Sequence, residues 1–419
     1  MTIGLTNLFI MKFRPYQEKI IKQGFDIVKE HGFLYLSMEV RTGKTLTSLG
    51  IAQNIGAKSL LFVTKKKAIS SIESDYKLLK PKFNIEVINY ESLHKIPDKS
   101  YDFFILDEAH CMSKLGKPSK RAKDVKSLLV KHSPNVILMS GTPTPESYSQ
   151  MYHQVYGIPN NPFSKYKNFY RFADDYINVK TRLINGFISN DYSDGLPTII
   201  EAMKPYSISY TQKEAGFSSE IEETVLNVRL EDSTYKIAKK LIKDLVVEGN
   251  DEVILADTAV KLKQKLHQIF SGTVKFESGN SMVLDYSKAE FIKEKFKGYR
   301  IGVFYKFKEE LNALKEVFKD DLCTDLNEFD SGCQVIALQI VSGREGISLR
   351  SADYLVFYNI DFSATSYWQA RDRMTTKDRL NNNVFWIFSE GGIEHDIYKQ
   401  VIKKKDYTIR HFKKNYNIK

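Results

Sequence analysis

Cysteine is scarce in this chain of 419 residues: there are three, Cys111, Cys323 and Cys333. They have no paired spacing, and with eight scattered histidines they form neither a disulfide framework nor a zinc pattern. Reduced thiols are the expectation. Long apolar runs are also missing, since none approaches the roughly 18 residues of a membrane-crossing helix. The opening Leu5–Phe13 stretch lacks the basic flank and small-residue cleavage site of an export signal. A cytoplasmic protein with no membrane partner follows as an expectation. Neither a tandem repeat of about 20–50 residues nor a low-complexity tract is present, so a solenoid is excluded.

What the chain does contain is globular. Hydrophobic residues make up 42% and charged residues 27%, enough apolar material for buried cores. The length suits two or three domains. Sixty-two Lys and Arg against 51 Asp and Glu leave a net charge of +11, a field that attracts polyanions such as nucleic acid.

Short apolar runs alternate with longer mixed segments. Ser59–Val63, Phe103–Leu106 and Val136–Met139 are strand-sized and predict a parallel α/β sheet over residues 1–155. Residues 156–220 break the rhythm with Pro159, Pro162, Gly186, Gly195 and Pro197 and read as a connecting or inserted segment. Alternation resumes over 221–419. Thr224–Leu230 reads as a strand, Ser233 as an N-cap for a helix through Val247, and Ile301–Tyr305, Gln334–Leu338 and Tyr354–Tyr358 as further strands.

Two motifs carry chemistry. In Gly43-Lys44-Thr45 the glycine lets backbone amides close around phosphate, Lys44 supplies a cation to the β/γ-phosphates, and the Thr45 hydroxyl suits Mg2+. Phe33–Ser37 ahead reads as a strand, and Leu46–Asn54 behind as a helix whose N-terminus faces the phosphates. The second motif is Asp107-Glu108, which follows the apolar run Phe103–Leu106 directly. An exposed acidic pair rarely sits at the end of such a run. Asp107 is placed to hold Mg2+, and Glu108 to orient and deprotonate an attacking water.

Asp107-Glu108-Ala109-His110 resembles motif II of superfamily two helicases, and other motifs follow in the family's order. Phe13 to Gln17 resembles the adenine-reading motif of the Swi/Snf-like branch, which implies that Arg14 and Gln17 bind the nucleotide. Thr64-Lys65 resembles motif Ia and Tyr90-Glu91-Ser92-Leu93 motif Ib, which implies nucleic-acid contacts at Thr64, Lys65, Tyr90 and Ser92. Ser140-Gly141-Thr142-Pro143 resembles motif III; His110, Ser140, Thr142 and Gln369 are the implied coupling residues. Val303–Phe307 resembles motif IV. Gln339 through Leu349 resembles motif V, implying nucleic-acid contacts at Gln339 and Ser342 and a nucleotide contact at Gly346. Gln369-Ala370-Arg371-Asp372-Arg373 resembles motif VI, with Arg373 the implied catalytic arginine and Arg371 or Arg379 as alternatives. The set is similar to compact phage members of the branch, including branch-migration helicases.

The resemblance implies two RecA-like parallel-sheet domains in tandem, with ATP and Mg2+ as cofactors and DNA as partner. It also implies an ATP-dependent helicase or translocase that remodels branched DNA in phage replication or recombination, located in the host cytoplasm. Alternatives are a duplex translocase that leaves strands paired, and a nucleic-acid-binding protein with a decayed ATPase. Three departures bear on this: Met38 in place of a small residue, Ser348 in place of Asn, and Thr376 in place of a second Arg.

Phosphate-neutralising candidates are Lys65-Lys66-Lys67 and the basic stretch Ser113–Lys126. Phe163–Val179 interleaves aromatic and basic residues, as a base-stacking or fork-wedge element would, yet its aromatics also fall near helical spacing, which favours core packing. Lys403–Lys419 invites the same two readings.

Overall fold

The run Phe33-Leu34-Tyr35-Leu36 is fully buried on both faces of its strand, the signature of a parallel strand covered on both sides by helices. It begins β1 (Phe33–Met38) of the first of two compact units, residues 1–216 and 217–419. In this computed structural model the described residues are 12–403, apart from 146, 185–186, 217–219, 250, 341–348, 350, 365 and 368–380.

The first unit adds β2 (Ser59–Thr64), β3 (Asn84–Asn89), β4 (Phe103–Leu106), β5 (Asn135–Met139), a separate hairpin of β6 (Lys180–Ile184) and β7 (Phe187–Asp191), and β8 (Ser207–Tyr210). The main sheet runs β3-β2-β4-β5-β1-β8, with every pairing parallel. Crossover helices cover both faces, among them Pro15–His31, Lys44–Ile55 and Lys120–His132. The expected strands stand within a residue or so of their ends.

The expected connecting segment at 156–220 is different. Residues up to 216 belong to the first unit, because β8 pairs with β1 and the helix Phe169–Tyr176 buries Phe169 and Phe172 in the unit's core. Phe163 is buried beside them, and Phe172 stacks on Tyr176. These rings are on the core-packing side of the two readings, although Tyr170 is exposed.

The second unit holds β9 (Glu220–Val228), two small hairpins formed by β10 (Val246–Glu248) with β11 (Val253–Leu255) and β12 (Thr273–Lys275) with β13 (Ser281–Val283), then β14 (Ile301–Tyr305), β15 (Leu322–Cys323), β16 (Val335–Gln339), β17 (Tyr354–Phe357) and β18 (Asn381–Ser389). Its six-stranded sheet, β15-β16-β14-β17-β18-β9, is again wholly parallel. Two parallel-sheet α/β units in tandem are therefore present, as the sequence implied.

Ser233 is not an N-cap. The helix is Asp232–Asp244, entered from extended Glu231 with no side-chain cap, and it stops short of Val247 because Leu245 turns left-handed (φ 60°). Val247 then enters β10. Among the described residues no helix is long and apolar enough to cross a membrane.

Candidate nucleotide site in the first unit

Adjacent strands in a sheet lie about 4.8 Å apart, so the strand order decides which loops meet. The order β2-β4-β5-β1-β8 brings the ends carrying Thr64, Asp107, Ser140, the Gly43-Lys44-Thr45 loop and Tyr210 side by side at one edge of the sheet. Motifs scattered over a long stretch of sequence become neighbours at the carboxyl ends of parallel strands, where α/β sheets bind ligands.

The loop after β1 ends in Gly43, whose left-handed backbone (φ 79°) starts the helix Lys44–Ile55. A Cβ there would lie 2.5 Å from the Gln17 amide, so close approach as well as conformation calls for glycine. Lys44 Nζ donates to the Met38 carbonyl oxygen (2.8 Å). A Cβ on Gly141 would stand 3.3 Å from the same Nζ, which places Lys44 against the loop after β5. Met38 itself is the buried last residue of β1, with its side chain in the core. Its departure from a small residue thus fills the hydrophobic layer, while its carbonyl remains available to the loop.

Gln17 is buried, and both ends of its amide are used: Oε1 accepts from the Arg14 backbone N–H (3.0 Å), while Nε2 donates to the Gly43 carbonyl and Thr47 Oγ1 (each 3.3 Å). Both Nε2 hydrogens are thus engaged, while Oε1 keeps a second lone pair. Arg14 is exposed and donates to the Tyr16 hydroxyl, which donates to the Thr42 carbonyl (each 3.0 Å). Tyr16 stacks on Tyr210 (4.8 Å, 17°), and Gln212 donates from its backbone to Glu39 (2.7 Å) and from its side chain to the Val40 carbonyl (3.0 Å). The Tyr210–Gln212 strut escaped the sequence reading because β8 lies far along the chain and Ser207–Tyr210 is too short to show periodicity. Gln17→Ala is expected to weaken ATP and GTP binding alike, by loosening Gly43. Fluorescent-nucleotide titration checks this, and a selective loss of ATP binding would show instead that Gln17 reads the base.

Asp107 donates its backbone N–H to the Val63 carbonyl (2.8 Å), and Thr64 Oγ1 donates to its Oδ2 (2.7 Å). Burial and the neighbouring Glu108 push its carboxyl up to about 6; Thr64 and Lys44 work in the opposite direction. Glu108 sits at φ 50°, a left-handed conformation uncommon for a residue with a side chain. His110 Nδ1 stands 3.2 Å from Glu108 Oε2 and 2.9 Å from Ser140 Oγ, which in turn accepts from the Thr142 backbone N–H (3.1 Å). The residues expected to couple the site, His110, Ser140 and Thr142, are therefore one connected chain that starts at Glu108.

Thr45 lies in the first turn of the helix beside Lys44. Among the described residues no group of three or more His, Cys, Asp or Glu is placed to hold a metal. A divalent ion at Asp107 would draw on the Thr45 hydroxyl and phosphate oxygens, the hard-oxygen mixture that suits Mg2+.

Thr64 and Tyr90, expected to touch nucleic acid, are buried, and the Tyr90 hydroxyl donates to the Asp107 carbonyl (2.8 Å). Lys65 and Ser92 are half-buried beside them, and Gln339 is exposed at the end of β16. Within the basic stretch, Arg121 binds Glu91 (2.5 Å), and Lys126 lies over the Tyr156 ring (4.0 Å). Lys114, Lys117, Lys120 and Lys123 are exposed. Ser342, Gly343, Gly346, Ser348, Gln369, Arg371, Arg373, Thr376 and Arg379 lie outside the described residues, as does most of Lys403–Lys419.

Fold and loop geometry define the first unit as a parallel α/β domain that carries a Gly43-Lys44-Thr45 loop at the carboxyl ends of its strands. Residues 10–146 match the family described as ResIII, Type III restriction enzyme, res subunit, in agreement with the superfamily two resemblance of the motifs. No curated protein matches the chain. Among solved structures it is similar to the Sulfolobus solfataricus SWI2/SNF2 ATPase core in complex with dsDNA, at TM-score 0.43 and 16% identity over 94% of this chain and 91% of that one. The Sulfolobus solfataricus SWI2/SNF2 ATPase core domain is similar at TM-score 0.42 and 16% identity, over 93% and 88% of the respective chains.

Proposed function

We propose that the protein is an ATP-dependent motor of the Swi/Snf-like branch that acts on DNA and remodels branched forms such as forks and four-way junctions. The observation that carries the ATPase part is the meeting of Lys44, Asp107-Glu108 and the His110–Ser140 chain at adjacent strand ends. Lys44 would neutralise the β/γ-phosphates, Thr45 and Asp107 would hold Mg2+, and Glu108 would accept the proton of the attacking water. The bound ion would add charge neutralisation at the transferring phosphoryl group. Because His110 touches both Glu108 and Ser140, a shift in the loop after β5 would reach the carboxylate that activates water. Arg373, in the segment that resembles motif VI, is proposed as the catalytic arginine. The DNA reading rests on the motif resemblance and the net charge of +11.

Comparing ATP turnover with no DNA, single strands, plain duplex, forks and four-way junctions tests this, with a gel assay of strand exchange run alongside. Stimulation and processing strongest on branched forms are expected. Turnover unmoved by every DNA would sink the motor; stimulation by duplex without any strand separation would make it a translocase instead.

A further inference from the structure

We propose that Thr64 and Tyr90 are positioning residues that hold Asp107 in its magnesium-binding pose. This reading rests on the ATPase function above. Asp107 is fixed at three points: its N–H on the Val63 carbonyl (2.8 Å), its carbonyl under the Tyr90 hydroxyl (2.8 Å) and its Oδ2 under the Thr64 hydroxyl (2.7 Å). The backbone bonds set the direction of the Cα–Cβ bond, and the Thr64 bond selects the carboxylate rotation. Oδ1 is then the oxygen presented to a cation. Both supporting side chains are essentially inaccessible, Thr64 at 0% and Tyr90 at 2% exposure, so neither hydroxyl can reach a nucleic-acid phosphate.

The two hydroxyls come from the segments that the motif order assigns to nucleic acid, with Lys65 following Thr64 and Ser92 two residues past Tyr90. Tyr90 opens a short 3-10 turn, Tyr90–Lys95, whose exposed Glu91 is tied to Arg121. Each segment therefore has its hydroxyl on Asp107 and a neighbouring residue nearer the surface. Groups that orient a metal ligand in this way commonly account for about 10–100-fold in metal affinity.

The full-length protein is titrated with Mn2+ in the presence of a non-hydrolysable ATP analogue, and free Mn2+ is followed by electron paramagnetic resonance. Thr64→Val, which keeps the shape and removes the hydroxyl, is expected to weaken Mn2+ binding by about 10-fold or more. Thr64→Ser should recover most of that loss. Tyr90→Phe should give a smaller loss, and both should bind nucleotide normally in excess chelator. Wild-type Mn2+ affinity in Thr64→Val and Tyr90→Phe would overturn the proposal, as would an equal loss of nucleotide binding with and without metal, which marks a packing role. A wild-type protein with no nucleotide-dependent Mn2+ binding would bring down the ATPase reading, and this one with it.

Discussion

Lys44→Ala is expected to lower ATP turnover by at least about 10²-fold, the usual cost of removing one group aimed at developing charge. The fold should survive. Lys44 is the half-buried first residue of a helix whose left-handed start is set by Gly43, and its Nζ donates to the Met38 carbonyl at the loop edge, so truncation opens solvent-facing space rather than a core cavity. Glu108→Gln is the companion test. It preserves shape and the approach to His110 Nδ1 (3.2 Å) while removing the proton acceptor, so nucleotide should still bind while hydrolysis stops. Steady-state turnover, nucleotide binding and thermal melting measured together decide the matter. Retained turnover in either variant would transfer the role to another group.

The second large effect concerns stability rather than catalysis. In the second unit Lys288 and Glu394 form an ion pair (2.7 Å) in which both side chains are fully buried. Lys288→Met is expected to destabilise this unit by about 3–5 kcal/mol, because it leaves a carboxylate in the interior without its counter-charge. The surroundings supply little relief. Glu394 Oε1 also accepts from Ser389 Oγ (3.2 Å), but Oε2 is buried with no hydrogen-bond partner among the described residues. Replacing both members with apolar residues, Lys288→Met with Glu394→Leu, should cost far less than either single change. Denaturant melts of the singles and the double form the cycle; an additive double would show that the pair does not act as a unit.

The sheets were legible in the sequence because fully buried parallel strands read as apolar runs, and Phe103–Leu106 ending in Asp107 is the clearest case. The positions of Lys44, Asp107 and the His110–Ser140–Thr142 group near strand ends were legible for the same reason, since each follows such a run, whereas their proposed roles come from the motif resemblance. What periodicity cannot show is pairing between distant segments. Ser207–Tyr210 has four residues and a mixed pattern, and its place beside β1 is fixed by tertiary register, Met38 against Tyr210. Residue type also says little about which way a side chain points. Thr64 and Tyr90 sit in segments expected to meet nucleic acid, yet strand-end geometry turns both inward, onto Asp107. Gln17 was expected to bind the nucleotide, and what its residue type could not show is that its amide also donates to the Gly43 carbonyl.

The position of β8 bears on how the first unit is made. β1 is among the most apolar strands of its sheet, and until residues 207–210 have been synthesised it has β5 on one side and an open row of amides and carbonyls on the other. Such an edge recruits other chains. A fragment ending near residue 155 would carry every nucleotide motif of this unit, yet it should self-associate and hold the phosphate loop without its Tyr210 and Gln212 struts. A nascent chain faces the same hazard for the time needed to add that last strand.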